Sequence, residues 1–365
     1  MTGKATALQG GLAALGLITA HLTWQREPER APGEVTVIDA GKNELGKVHF
    51  EDETSSIDLQ RKSEGGETAV WLHLVEKPKT PPPPKNAKKD AKADATNTSE
   101  PPEPSEPPPP PTPPANPPRD LRGSDVATKL LDQLAPLRSP RAFGILDPAK
   151  LKELGLEGSK RKLTITAKGD TREYTIGQPQ GNGILEAFMR DDRDGRVYLM
   201  PHGVLGDLMA STRLVDKKLH GFEPTEFDRM VLTIGGKSRE LVQTHRESIQ
   251  AAQLAAPKTP DKPDQMAKNW HDLLWRSFAM DVLGQGEVPK EGAPTPVGKV
   301  EYFDGKKSLG YIELAKAPET SVQQTDPAGN RTTLYARTER TAGWVKLHVN
   351  ASLTADAEKI VANGS

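Results

Sequence analysis

The chain has no cysteine in its 365 residues. That single absence excludes disulfides, Cys-ligated zinc, thiol catalysis and a lipid-modified cysteine. Aromatic residues are scarce at 5%, and hydrophobic residues make up only 35%. Both are low for one large core, so small sheet-and-helix units are expected in place of a single deep α/β domain. A charge excess is missing too. With 49 basic and 50 acidic residues the formal net charge is −1, so no global field favours nucleic acid or another polyanion. The basic run from Lys85 to Lys92 lies among proline and alanine and reads as a solvated linker, and no nucleic-acid partner is expected.

Local signatures of catalysis are also lacking. The histidines are His21, His49, His73, His202, His220, His245, His271 and His348. None pairs with another at i, i+4 around a carboxylate, as a zinc-binding protease helix requires. His49 and His73 alternate with apolar neighbours and read as solvent-facing strand residues. Asp191, Asp192 and Asp194 before Gly195 lack the spacing and the closing glutamate of a calcium loop, and read as a hairpin turn. Gly177 to Gly183 is glycine-rich but has no Lys or Ser/Thr in phosphate-loop positions. A G-x-S-x-G elbow does not occur. No catalytic residue, metal ligand or cofactor-binding residue is therefore assigned, and binding is expected in place of catalysis.

What is abundant is proline. Residues 78–118 hold 17 of the chain's 33 prolines, including Pro81 to Pro84 and Pro107 to Pro111. Such a segment cannot bury a core and is expected to be a disordered or polyproline spacer. At the other extreme, Ala5 to Trp24 is apolar over about the length of one membrane helix, with Lys4 before it and Trp24 at its end. A signal peptide cut after Ala20 is the rival reading, but Ile18 at the −3 position fits the small-residue rule poorly. Residues 5–24 are thus expected to hold the chain in a bilayer, with the rest outside the cytoplasm.

Elsewhere the pattern is strand, turn, strand. Glu34 to Asp39, Gly46 to Phe50, Ser56 to Arg61 and Ala69 to Val75 alternate apolar and polar residues. Ser124 is a plausible N-cap for an amphipathic helix carrying Val126, Leu130, Leu131, Leu134 and Leu137. A short helix is expected at Pro148 to Leu154, then strands at Lys162 to Lys168 and Arg172 to Gly177 around a Gly169-Asp170 turn. Ala187 to Arg190 and Arg196 to Met200 flank an Asp194-Gly195 turn, and Gly203 to Leu214 reads as a helix.

From about Phe222 the order begins again. Phe227 to Ile234, a Gly235-Gly236 turn and Glu240 to Thr244 form a hairpin. A Pro/Ala/Lys insertion follows, then a helix with Trp270, Leu273, Leu274, Phe278 and Val282 on one face. Gly298 to Phe303 pairs with Ser308 to Leu314, Thr332 to Arg337 with Trp344 to Val349, and Leu353 to Val361 closes as a helix. Both halves carry their insertion between the first sheet segment and the first helix, which favours duplication. The fold class expected is α+β: two tandem related units of antiparallel sheet with packed helices, behind one N-terminal membrane helix and around a Pro-rich insertion. The boundaries are 1–30 for the anchor or signal segment, 31–77 with 119–220 for the first unit around the insertion at 78–118, 221–350 for the second with a flexible insertion at 251–265, and 351–365 for a C-terminal helix and tail.

These features resemble the DUF4340 family of bacterial proteins. The resemblance rests on the anchor, AVWLHL around Trp71, SDVATKLLDQLAPLR at 124–138, LKELGLEG at 151–158, REYTIGQ at 172–178 and RVYLMPHGVLGDLM at 196–209. It implies a single-pass inner-membrane protein with its bulk in the periplasm. It further implies an accessory role beside ABC-transporter components related to those linked to gliding motility, through a protein partner in a membrane complex. The family supplies no catalytic residues to carry over, and the long Pro-rich insertion departs from its usual pattern. A cell-wall or small-ligand binding module is the alternative, with Trp71, Trp270, Trp275 and Trp344 as stacking surfaces, although each lies in an apolar pattern that suits core packing. A hydrolase with a dispersed site is a third.

Overall fold

The computed structural model describes residues 33–64, 67–78, 117–179, 186–318, 334–348 and 352–364. The expected anchor at 5–24, His21, nearly all of the Pro-rich insertion and most of the Gly177 to Gly183 stretch lie outside them. No helix among the described residues is long and apolar enough to cross a membrane.

The strands are β1 (Val35–Ile38), β2 (Leu45–Glu51), β3 (Ser55–Glu64), β4 (Glu67–Glu76), β5 (Arg119–Arg122), β6 (Leu137–Ser139), β7 (Ala142–Ile145), β8 (Arg161–Ala167), β9 (Asp170–Ile176), β10 (Phe188–Asp191), β11 (Arg196–Leu199), β12 (Arg229–Ile234), β13 (Lys237–Thr244), β14 (Gln253–Ala255), β15 (Phe278–Val282), β16 (Thr295–Asp304), β17 (Lys307–Lys316), β18 (Leu334–Thr338) and β19 (Val345–His348). The helices are α1 (Asp125–Leu134), α2 (Pro148–Glu153), α3 (Val204–Met209), α4 (Ser211–Leu214), α5 (Gln265–Trp275) and α6 (Leu353–Ala362).

Two antiparallel sheets with packed helices make this an α+β fold. The first sheet runs β5-β4-β3-β2-β8-β9-β10-β11-β7, and the second β14-β13-β12-β16-β17-β18-β19-β15. β1 stands apart, paired only with β6. One hydrophobic cluster joins both sheets to their helices. In the first sheet Val48, Phe50, Ile57, Leu59, Leu72 and Leu121 point to the helices and are buried, together with Leu130, Leu131 and Leu134 of α1. In the second sheet α5 and α6 pack on each other beside β12 to β14. There the buried Trp270 donates its Nε1–H to the Leu353 carbonyl over 2.8 Å.

The amphipathic alternation explains the strands, and the helix caps follow the expected chemistry. Ser124 accepts from the Ala127 N–H to start α1, and Asp147 accepts from the Lys150 N–H with Pro148 in the first turn of α2. Several boundaries differ from expectation for identifiable reasons. α1 stops at Leu134, not Leu137, because Ala135 precedes Pro136 and is pushed to extended geometry, φ −142° and ψ 94°. Phe278 and Val282 leave the helix and form β15 against β19. A bulge between Ala279 and Asp281 leaves Phe278 exposed and Val282 buried, and apolar spacing alone does not separate a helix end from a short strand. The expected Gly203 to Leu214 helix breaks into α3 and α4 at Ala210. The β8–β9 turn is centred one residue early, on Lys168 (φ 52°) and Gly169 (φ 78°), the paired left-handed geometry of a tight hairpin. Residues 251–265, expected to be a flexible insertion, hold β14 paired with β13 and a fully buried Leu254. That apolar anchor and the ladder bonds order a stretch whose composition reads as loop.

Candidate functional site

The face of the first sheet turned away from α1 carries polar side chains on β2 to β5. Register brings four of them into one row across four neighbouring strands. His49 stands opposite Asp58, Asp58 opposite His73, and His73 opposite Asp120. His49 Nδ1 lies 2.6 Å from Asp58 Oδ1, and His73 Nδ1 lies 2.9 Å from Asp120 Oδ1. Lys47 Nζ approaches the other Asp58 oxygen at 2.9 Å. Burial works to raise the Asp58 carboxyl, but the bonds from Lys47 and His49 outweigh it and hold the group below the usual aspartate value. Beside this row Gln60 stands opposite Trp71, and Trp71 opposite Arg122. A groove of about 200 Å³ opens here, bordered by Trp71, Gln60 and the charged groups of the row.

His49 and His73 lie on the solvent-facing side of their strands, as expected, and each also stands beside a carboxylate, Asp58 and Asp120 respectively. Their partners Asp58 and Asp120 carry no local motif and only register reveals them.

A second concentration of polar and aromatic groups is enclosed at the start of the second sheet. His220 stacks on Trp275 with ring centroids 4.4 Å apart and planes 10° from parallel. Phe222, Phe227, His271 and Tyr302 complete the cluster. Both nitrogens of His220, Nε2 of His271 and the Tyr302 hydroxyl are buried without a hydrogen-bond partner. Glu339 lies 3.7 Å from His220 Nδ1, longer than a hydrogen bond, and accepts the Tyr311 N–H at 2.9 Å. Burial pushes the His271 imidazole down to about 3, helped by the neighbouring His220 and Lys268, and pushes the Tyr302 hydroxyl up. The same segment is tied to the β18–β19 turn by Arg340, whose Nε donates to the buried Asp216 carboxylate over 2.7 Å.

The remaining sequence candidates are placed as follows. Asp191, Asp192 and Asp194 serve the β10–β11 hairpin: Asp191 accepts the Arg193 N–H, Asp194 the Arg196 N–H, and Asp192 the Lys162 ammonium and Thr175 hydroxyl. Gly177 sits where a Cβ would collide with the Leu154 carbonyl oxygen, so close packing explains that glycine. Trp270 is buried, Trp275 belongs to the enclosed cluster, and Trp344 is half-buried beneath Arg337. Only Trp71 borders the open groove. Among the described residues no three His, Asp or Glu side chains are placed to hold one metal ion.

The sheet edges are unequal. The outer side of β5 receives the Asp216 and Gln285 N–H groups, and Leu254 of β14 receives the Asp264 N–H. β7 and β15 end their sheets with no further ladder partner among the described residues. They expose Ile145 at 75%, Phe278 at 58% and Met280 at 56%.

No protein-family model matches the chain, and neither curated proteins nor solved structures yield a similar protein.

Proposed function

We propose that this chain is an extracytoplasmic accessory protein that works by binding a protein partner, held at the bacterial inner membrane by residues 5–24. The observation that carries this reading is the pair of open edges, β7 with Ile145 exposed and β15 with Phe278 and Met280 exposed. An unpaired edge is a template for strand addition, and chains that do not use an edge ordinarily cap or charge it. Here the opposite edges are capped by backbone bonds, whereas β7 and β15 take no such bonds among the described residues; β15 carries one charge, Asp281, which Arg119 of β5 engages over 3.4 Å. The resemblance to the DUF4340 family supports an assignment beside an ABC-type transport or gliding-motility-like system.

We also read the body as two copies of one unit. Both sheets have the order edge, hairpin, hairpin, hairpin, with the strand after the first helix returning to the far edge. β2, β3, β8, β9, β10, β11 and β7 take the places of β12, β13, β16, β17, β18, β19 and β15, and β5 is an extra strand of the first sheet.

The test is purification of the full chain from membranes, with Phe278 and Met280 both replaced by lysine in a parallel preparation. A partner that co-purifies with the native chain and is lost from the variant, at equal membrane recovery, is the expected result. A chain found only in the soluble cytoplasmic fraction removes the tether. A partner retained at full yield by the variant removes the β15 edge.

A further inference from the structure

The groove on the open face of the first sheet differs from the edges in chemistry. Its lysines and carboxylates are equal in number, Lys47 and Lys62 against Asp58 and Asp120, and Lys47 engages Asp58 directly. A neutralised groove has no net field to recruit a phosphate backbone or another polyion. What it offers is an indole wall and polar groups with capacity to spare. The Gln60 amide has no hydrogen-bond partner among the described residues, and each carboxylate oxygen has more than one acceptor site. At about 200 Å³ the groove is smaller than the pockets that take drug-sized ligands. One ring with an apolar face and a hydroxylated rim matches that space.

We propose that this groove binds a neutral sugar ring within a glycan, its apolar face on Trp71 and its hydroxyls on Gln60, Asp58 and Asp120. A pyranose presents axial C–H groups on one face and hydroxyls around its edge. It therefore satisfies an aromatic surface and several donors and acceptors together, with no charge to desolvate. Lys62 places its ammonium 5.4 Å from the Trp71 ring centroid. That exposed cation–π contact is weak, and the flexible side chain swings aside when the sugar stacks. The site uses neither the membrane tether nor the β7 and β15 edges, so its failure leaves the protein-binding reading standing.

Isothermal titration of the full chain with N-acetylglucosamine tetramer and with cellotetraose tests this, with tetraglutamate and tetralysine as charged controls. The native chain is expected to bind at least one oligosaccharide with a dissociation constant on the order of 0.1–1 mM, an affinity ordinary for a single small site. Trp71→Ala weakens binding at least tenfold, Gln60→Ala at least threefold, and Lys62→Ala leaves it equal or tighter because the indole is uncovered. Should Trp71→Ala fail to fold, Gln60→Ala and Lys62→Ala still decide the matter. No heat with either oligosaccharide at 10 mM, binding that ignores Gln60→Ala, or preference for a charged tetrapeptide overturns the assignment. A second arm separates polymer from fragment: retention on an insoluble chitin or cellulose column that free tetramer elutes points to an extended glycan as the source.

Discussion

His271 gives the sharpest test of the packing described above. It lies on the inward face of α5 against Phe227, Trp275 and Tyr302, and its Nε2 has no hydrogen-bond partner. Burial there disfavours the charged imidazolium and lowers the group from 6.5 to about 3. Between those values the unfolded chain holds a proton that the folded chain refuses. Stability is thus complete above pH 6.5 and falls as the pH drops toward 3. At pH 5 the loss from this group is about 2 kcal/mol, one and a half pH units at roughly 1.4 kcal/mol each. At pH 4 it is about 3 kcal/mol on the same basis.

The variant His271→Leu removes the titrating group and the orphaned nitrogen while keeping an apolar side chain in a good helix former. Urea unfolding of both proteins at pH 7.5, 6, 5 and 4 measures the difference, since every other titrating group is common to the two. At pH 7.5 the variant is expected within about 1 kcal/mol of the native chain, the cost of a changed side-chain shape offset against a buried polar atom no longer left unpaired. The gap then moves in favour of the variant by about 2 kcal/mol at pH 5. A gap that stays constant across the four pH values refutes the argument, because it means that the folded imidazole takes up its proton as easily as the unfolded one.

Two further outcomes follow from other contacts. Arg340→Met strands the Asp216 carboxylate, whose side chain is 3% exposed, and should cost about 3 kcal/mol in chemical denaturation, whereas the double variant Asp216→Leu, Arg340→Met should recover much of the loss. Gly177→Ala drives a methyl into the Leu154 carbonyl and should cost about 2–3 kcal/mol by thermal unfolding, while Gly46→Ala, whose Cβ would meet only ordinary contacts, stays within about 1 kcal/mol as a control.

How much of this was legible in the sequence depends on whether a feature is local. Alternation over Ala69 to Val75 and leucines at helical spacing after Ser124 mark buried faces directly, and both elements form where the pattern places them. Element ends are decided by other forces. Pro136 truncates α1, and pairing with β19 claims Phe278 to Val282 for a strand. His220, Phe222 and Phe227 lie between regular elements, where no periodicity announces that they share a buried cluster with α5 and β16.

The polar row shows where the limit falls. A strand's alternation fixes which residues share a face but not which lie opposite one another, and only the turn sets that offset. Glu51 pairs with Ser56 across the first turn, and counting outward from it sets His49 opposite Asp58. Glu64 pairs with Glu67 across Gly65 and Gly66, and the same count sets Asp58 opposite His73. Both steps could have been taken from the sequence, because each connection is short and built of turn-forming residues. Asp120 could not be reached in this way. Thirty-eight residues separate the two ends of the described chain at Pro78 and Pro117, and loop closure over such a length scarcely distinguishes one register from the next. What selects it is the far side of β5: Leu121 must enter the core opposite Leu72. Asp120 is then left on the open face beside His73. The same packing step that completes the first sheet thus completes the row, and a slip of one residue would bury Asp120 and dismantle both.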